Sequence, residues 1–166
     1  MIIHFICRGN TYRSRLAEAY LNSKRLSSLK SISSGIIASA NESGPISWYG
    51  QRILQNEKLV PFESPGWQQT TKGLLKQGDF TIFMQQEHYD YCRKKLDFNP
   101  KNYEIWNIKD LNEFLFFSTR IRPATEMEKI KASEETFGII KGKIDGLINR
   151  FSKKHNKFLY SQPEPD

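Results

Sequence analysis

Cys7 and Arg13, with five residues between them, are the pair in this 166-residue chain whose types and spacing can do chemistry. A thiolate is a strong nucleophile, and a guanidinium offers a planar fork of donors that grips two oxygens of a phosphate. Gly9 and Asn10 lie between them, both tolerant of left-handed backbone, and Ser14 follows. That spacing lets one turn of loop fold back and set thiol and cation in the same small hollow. A nucleophile then faces an anion clamp.

The flanking residues supply the frame. Ile2 to Cys7 is a short apolar, β-branched and aromatic run that reads as a strand. Leu16, Ala19, Tyr20 and Leu21 give helical spacing over about 14 to 27. A loop between a strand end and a helix start turns its N–H groups inward, and the positive end of the helix dipole adds to the field. A phosphate fits there, and the same field favours a thiolate. Ser14 can bond that thiolate or cap the helix, and Asn10 can serve a turn.

The run Cys7-Arg8-Gly9-Asn10-Thr11-Tyr12-Arg13-Ser14, followed by Leu16-Ala17-Glu18-Ala19, resembles the phosphate-binding loop of the low-molecular-weight protein-tyrosine-phosphatase family. Weaker echoes continue through Ser33-Ser34-Gly35, Phe80 to Met84 and Asp110. The resemblance implies that residues 8 to 14 bind phosphate, that Cys7, Arg13 and Asp110 are catalytic, and that neither cofactor nor metal is needed. It implies a phosphorylated protein or peptide as substrate, with inorganic phosphate or a similar oxyanion held in the loop. Several positions depart from the family. Arg15 and Leu111 stand where Pro is usual, and Asn112 and Glu113 where aromatics are usual.

Taken in order, the chain alternates between strand and helix patterns. Leu29 to Ser34 reads as a second strand stopped by Gly35, Trp48 to Glu57 as a helix, and Thr70 to Lys76 as a short helix. Asp79 to Met84 has the apolar density of a buried strand, Gln85 to Leu96 fits a helix, and Tyr103 to Ile108 a fourth strand. Ala132 to Phe151 carries Phe137, Ile140, Ile144, Leu147, Ile148 and Phe151 on one helical face. The expected fold is three-layered α/β, a four-stranded parallel sheet with helices on both faces and the phosphate-binding loop after the first strand.

That architecture selects an acid. Ligands gather at the carboxyl ends of parallel strands, where Cys7 lies. Asp79 starts its strand, Asp90 and Asp145 belong to helices, and Asp110 follows the fourth strand. Asp110 is also the position that matches the general acid of the family, although Asp serves equally as a cap or turn residue, and Glu113 is a stand-in. Tyr12, Trp48, Tyr49, Phe114, Phe116 and Phe117 are candidates to wall the cleft. The segment 111–124 reads as a lid or a docking surface.

Composition narrows the classes. The length suits a single domain over residues 1–158, with a Pro-interrupted, disordered tail over 159–166. A net charge of +7 favours acidic partners, yet the cations are dispersed and no nucleic-acid signature appears. No apolar run is long enough to span a bilayer, and His4, His88 and His155 make no metal-ligand spacing with either Cys. Two cysteines far apart give no disulfide framework, so the cytoplasm is expected.

The expected reaction is phosphomonoester hydrolysis through a phosphocysteine. Phosphotyrosine ranks first as substrate by family weight. Phosphoarginine is the alternative, because relatives that resemble protein-arginine phosphatases have Thr where this chain has Thr11. A non-catalytic phosphate-binding module and an arsenate reductase are the rivals. The reductase needs additional cysteines, and only Cys92 is available. The vicinal disulfide of redox-regulated relatives needs a Cys in place of Tyr12.

Overall fold

Strand β1 (Ile2–Cys7) forms because its β-branched and aromatic residues fit a pleated surface that is covered on both sides. In the computed structural model, which describes residues 1–40, 44–111 and 123–159, it lies inside the sheet. The other strands are β2 (Lys30–Gly35), β3 (Phe80–Phe83) and β4 (Tyr103–Ile105), and the spatial order is β2-β1-β3-β4, all parallel. The helices are α1 (Arg13–Ser23), α2 (Trp48–Asn56), α3 (Lys72–Leu75), α4 (Gln86–Leu96) and α5 (Glu126–Leu159). Short 3₁₀ turns cover Ala38–Ala40 and Val60–Phe62. This is the expected fold class.

Alternation along β1 divides the core. Ile3 and Phe5 point to the larger cluster, built with Leu16, Leu54, Ile82, Phe137, Ile140 and Ile144 from the sheet, α1, α2 and α5. Ile6 points to a smaller cluster with Ile36, Leu75, Phe83 and Cys92 on the side of α3 and α4. Each such fully buried side chain contributes about 1.5–3 kcal/mol.

Three boundaries differ from expectation for local reasons. β4 ends at Ile105 instead of Ile108 because Asn107 takes a positive φ of 54°, which breaks the ladder. The chain nevertheless stays beside the sheet, with Trp106 N donating to Phe83 O at 2.9 Å and Ile108 N to Met84 O at 2.8 Å. α5 begins at Glu126, well before Ala132, because Thr125 and Glu128 form a reciprocal cap. Glu128 N donates to Thr125 Oγ1 at 3.3 Å and Thr125 N to Glu128 Oε2 at 2.7 Å. α5 also runs on past Phe151 to Leu159, and the rest of the expected tail lies outside the described residues.

β1 and β2 end in register, Cys7 beside Gly35. Their carboxyl edge is where the loop 8–12 turns into α1.

Candidate active site

The loop is held from outside by its carbonyls. Cys7 O accepts from Ile36 N at 3.1 Å, Arg8 O from Ile37 N at 3.0 Å, and Thr11 O from Ser47 N at 2.8 Å. Carbonyls turned outward leave the amides to the inner side, the arrangement of an anion nest. Asn10 makes the reversal with a φ of 53° and is completely buried. Gly35 lies directly beneath. A Cβ there would stand 2.6 Å from Asn10 N, 2.7 Å from Arg8 O and 2.7 Å from Gly9 C, so only glycine lets the loop close over β2.

Inside the loop the sulfur is the focus. Ser14 Oγ lies 2.9 Å from Cys7 Sγ, and Asn10 N donates to the same sulfur at 3.2 Å. Ser14 is not the helix cap, since α1 starts at Arg13 with Tyr12 in the capping place. Its hydroxyl is turned to the thiol.

Arg13 is 1% exposed and carries the positive charge of the hollow. Its Nη1 donates to Ile108 O at 2.8 Å and to Gln85 Oε1 at 2.5 Å, and its Nη2 meets Asp110 Oδ2 at 2.5 Å. Its Nε is buried without a hydrogen-bond partner among the described residues. Gln85 is fixed in turn by His88, whose Nδ1 accepts from Gln85 N at 3.0 Å in a capping box at the start of α4. Accepting at Nδ1 places the proton of the neutral ring on Nε2. Burial, with help from Arg13 and Arg8, holds this imidazole down to about 3. The 3.4 Å approach of Glu87 Oε1 to His88 Nε2 is therefore a contact with a neutral ring and not an ion pair.

Asp110 reaches Arg13 from the end of β4, the edge that the sheet argument selects. Leu111 in place of Pro has a local use: its N–H donates to Asp110 Oδ1 at 2.7 Å, a bond that Pro cannot make. Glu113, Phe114, Phe116 and Phe117, with most of the segment 111–124, lie outside the described residues.

Other expectations resolve differently. Tyr12 does not wall a cleft. It is buried in the main core, and its hydroxyl donates to Ser133 O on α5 at 3.3 Å. Tyr49 packs edge-on to Trp48 and reaches Glu126 at 2.8 Å, whereas Trp48 is 60% exposed beside the segment that holds Thr11. Arg8 is exposed at the rim, with Glu87 at 3.9 Å. Arg15 is buried in an ion network with Glu18 and Glu63. Cys92 is fully buried in the smaller cluster, where burial pushes its thiol up to about 12. Among the described residues no three His, Cys, Asp or Glu side chains are grouped to hold a metal ion, and no helix is long and apolar enough to cross a membrane.

Sequence reasoning missed Gln85, and it missed the two groups that hold the Asn10 amide, Gln68 N donating to Asn10 Oδ1 at 2.7 Å and Ser33 Oγ accepting from Asn10 Nδ2 at 2.8 Å. A polar residue just after a buried strand, at the same sheet edge as Cys7, was the available signal for Gln85.

The comparisons with known proteins bear on the fold and the family. No curated protein matches the chain by sequence. Among solved structures, the YwlE arginine phosphatase from Geobacillus stearothermophilus is 20% identical, with a TM-score of 0.68 over 98% of this chain and 99% of that one. Wzb from Vibrio vulnificus, solved in complex with benzylphosphonate, is 18% identical, with a TM-score of 0.67 over 90% of this chain and 97% of that one. A low molecular weight protein tyrosine phosphatase from T. tengcongensis is 20% identical, with a TM-score of 0.65 over 88% and 99%. These likenesses show the fold. The model of the low molecular weight phosphotyrosine protein phosphatases matches residues 2–155, nearly the whole chain, and the protein therefore belongs to that family of cysteine-dependent phosphatases.

Proposed function

We propose that the protein hydrolyses phosphomonoesters through a phosphocysteine on Cys7, with phosphotyrosine in a protein or peptide as its first substrate. The observation that carries this reading is the sulfur's setting: Cys7 Sγ within 2.9 Å of the Ser14 hydroxyl and 3.2 Å of the Asn10 amide, at the end of β1 and the start of a loop that leads into Arg13, the first residue of α1. Donors aimed at sulfur favour the thiolate as nucleophile and as leaving group.

In the first step the Cys7 thiolate attacks phosphorus in line, an S–P bond forms and the P–O ester bond breaks. Asp110 gives its proton to the departing oxygen. Arg13 and the amides of Arg8, Gly9, Asn10, Thr11, Tyr12, Arg13 and Ser14 hold the equatorial oxygens as charge shifts among them. The approaching phosphate replaces the Asp110 carboxylate as counter-ion of Arg13, and the freed carboxylate takes up from solvent the proton that it then hands to the leaving oxygen. In the second step water attacks phosphorus and gives a proton to Asp110, the S–P bond breaks, and inorganic phosphate leaves. Ser14 donates to the thiolate as it departs. Both cysteines are free, and a thiolate enzyme of this kind suits a reducing compartment, the cytoplasm.

Phosphoarginine is the second reading. Thr11 favours it by resemblance to protein-arginine phosphatases, and so does the likeness in fold to an arginine phosphatase. Matched peptides carrying either phosphorylated residue, offered to the parent and to Thr11→Ile, separate the two. Preference for phosphotyrosine in the parent supports the first reading. Preference for phosphoarginine that reverses in Thr11→Ile overturns it.

A further inference from the structure

We infer that the end of the sheet opposite the phosphate-binding loop carries a second site, which takes a free medium-chain carboxylate, an anionic head on an apolar chain. A cavity of about 550 Å³ opens there, between the last turn of α1 with the residues that follow it and the starts of β1 and β2. That is the size of a small-molecule site. Ile2 lines the cavity and Cys7 ends the same strand, so about 16 Å of extended chain separates this site from the catalytic sulfur.

The lining is apolar where a chain would lie. Ile2, Leu26, Leu29 and Ile32 all contribute to it. Leu29 is buried, whereas Ile2, Leu26 and Ile32 stay half-buried, and Ile2 and Ile32 belong to neither core cluster. Pairing of Ile2 with Lys30 and of His4 with Ile32 sets the two isoleucines and Lys30 on one face of the sheet. A chain laid on them removes from water apolar surface that folding leaves exposed.

The charges of the lining have one sign. Arg25 and Lys30 are its charged residues, both exposed, and neither makes an ion pair with another described residue. Asp79, whose Oδ2 accepts from Ile2 N at 2.7 Å, is not part of the lining. Arg25 holds the left-handed position after α1, with a φ of 50°, a place that favours glycine. Its guanidinium rests over the Phe62 ring at 5.4 Å, a stacking that uses the face of the group and leaves its donor edge for a carboxylate. The field therefore selects an anion over a neutral or cationic head.

A peptide strand is a poorer occupant. β2 is an edge strand, but beside the cavity Asn22 takes both backbone groups of Ser31, its Oδ1 accepting from Ser31 N at 2.9 Å and its Nδ2 donating to Ser31 O at 3.2 Å. Strand addition needs those groups free. A small amphiphile needs only the apolar lining and the two cations.

Isothermal titration of decanoate, octanoate, decanol and decyltrimethylammonium, each below its aggregation concentration, tests the site on the parent, Arg25→Gln/Lys30→Gln and Ile32→Asp. Decanoate should bind at a single site, octanoate about tenfold more weakly for its shorter chain, and decyltrimethylammonium not at all. Decanol, and decanoate on Arg25→Gln/Lys30→Gln, should each bind about tenfold more weakly than decanoate on the parent. Ile32→Asp should abolish binding. Thermal midpoints report folding, and the charge variant, which alters exposed side chains alone, carries the test if Ile32→Asp does not fold. Saturating inorganic phosphate should leave decanoate bound. Displacement by phosphate would put the carboxylate in the catalytic loop and overturn the site. So would equal binding of decanol and decanoate, decanoate binding unchanged in the charge variant, or no binding at millimolar decanoate. Self-association of the parent that Ile32→Asp abolishes, with no decanoate bound, would give this surface to a second copy of the chain and overturn the small-molecule assignment.

Discussion

Lowering the pH from 7 to 5 should cost this protein about 4 kcal/mol of stability through two histidines alone. His4 is completely buried on β1 with Nε2 2.8 Å from Ser34 Oγ, and His88 is completely buried in the first turn of α4. Burial holds both down to about 3, against an ordinary value of 6.5. The folded values are depressed, so the stabilisation is present above 6.5 and is lost as the pH falls toward the folded values, because the unfolded chain takes up protons that the folded one refuses. Between pH 7 and 5 each ring contributes a loss of about 2 kcal/mol, and the pair loses a large share of the roughly 5–15 kcal/mol that holds a typical domain. Glu18 works in the opposite sense, since its raised carboxyl favours the folded state as the pH falls, and differences between variants isolate the imidazoles. Urea unfolding followed by tryptophan fluorescence at both pH values, for the parent, His4→Gln and His88→Asn, provides the numbers. Each substitution keeps an amide in hydrogen-bonding reach and should shrink the loss by about 2 kcal/mol. A loss equal to the parent's in both variants would refute the reasoning, because the rings would then titrate alike in both states.

Other perturbations address the site. Asp110→Asn should slow turnover on the order of 10²-fold for alkyl and unactivated aryl phosphates and much less for para-nitrophenyl phosphate, whose leaving group needs little protonation. Equal losses on both would remove the acid role, and a selective loss in Glu113→Gln would transfer it. Gly35→Ala should push the loop backbone away from β2 and lower kcat/KM on the order of 10²-fold, while urea unfolding shows a stability loss of about 1–3 kcal/mol. Parent-like kinetics in Gly35→Ala would show that the loop does not depend on that close approach.

How much of this was legible in the sequence varies with the range of the interaction. β1, the loop and α1 were readable because the signals are local: a β-branched run, left-handed formers, then apolar residues at helical spacing. The sheet edge that selects Asp110 followed from alternating β and α patterns, and Asp110 does meet Arg13 at 2.5 Å. The end of β4 was missed because Asn107, a residue type that tolerates left-handed backbone, was read as part of the strand that its largely apolar neighbours suggest. Tyr12 was misjudged for a similar reason. Its place in the loop is local, but its burial depends on α5, 121 residues away at Ser133. The hydrogen bonds among Glu18, Ser33, Asn10 and Ser14 join α1, β2 and the loop, so these stay ordinary polar residues until parallel pairing sets β2 beside β1. Gly35 looked like a strand stop, and only the closed loop above it shows why a side chain is excluded.

The phosphocysteine is the point on which everything else depends, and rapid-quench trapping measures it most directly. Enzyme mixed with excess para-nitrophenyl phosphate and quenched within milliseconds should carry one phosphoryl group, mapped by mass spectrometry of the digested chain to Cys7 and absent from Cys92. A burst of para-nitrophenol equal to the enzyme concentration should accompany it wherever the second step is slower than the first. Cys7→Ser, measured alongside, should show no more than trace turnover. Undiminished turnover in Cys7→Ser, or phosphate trapped on a residue other than Cys7 in the parent, would contradict the mechanism.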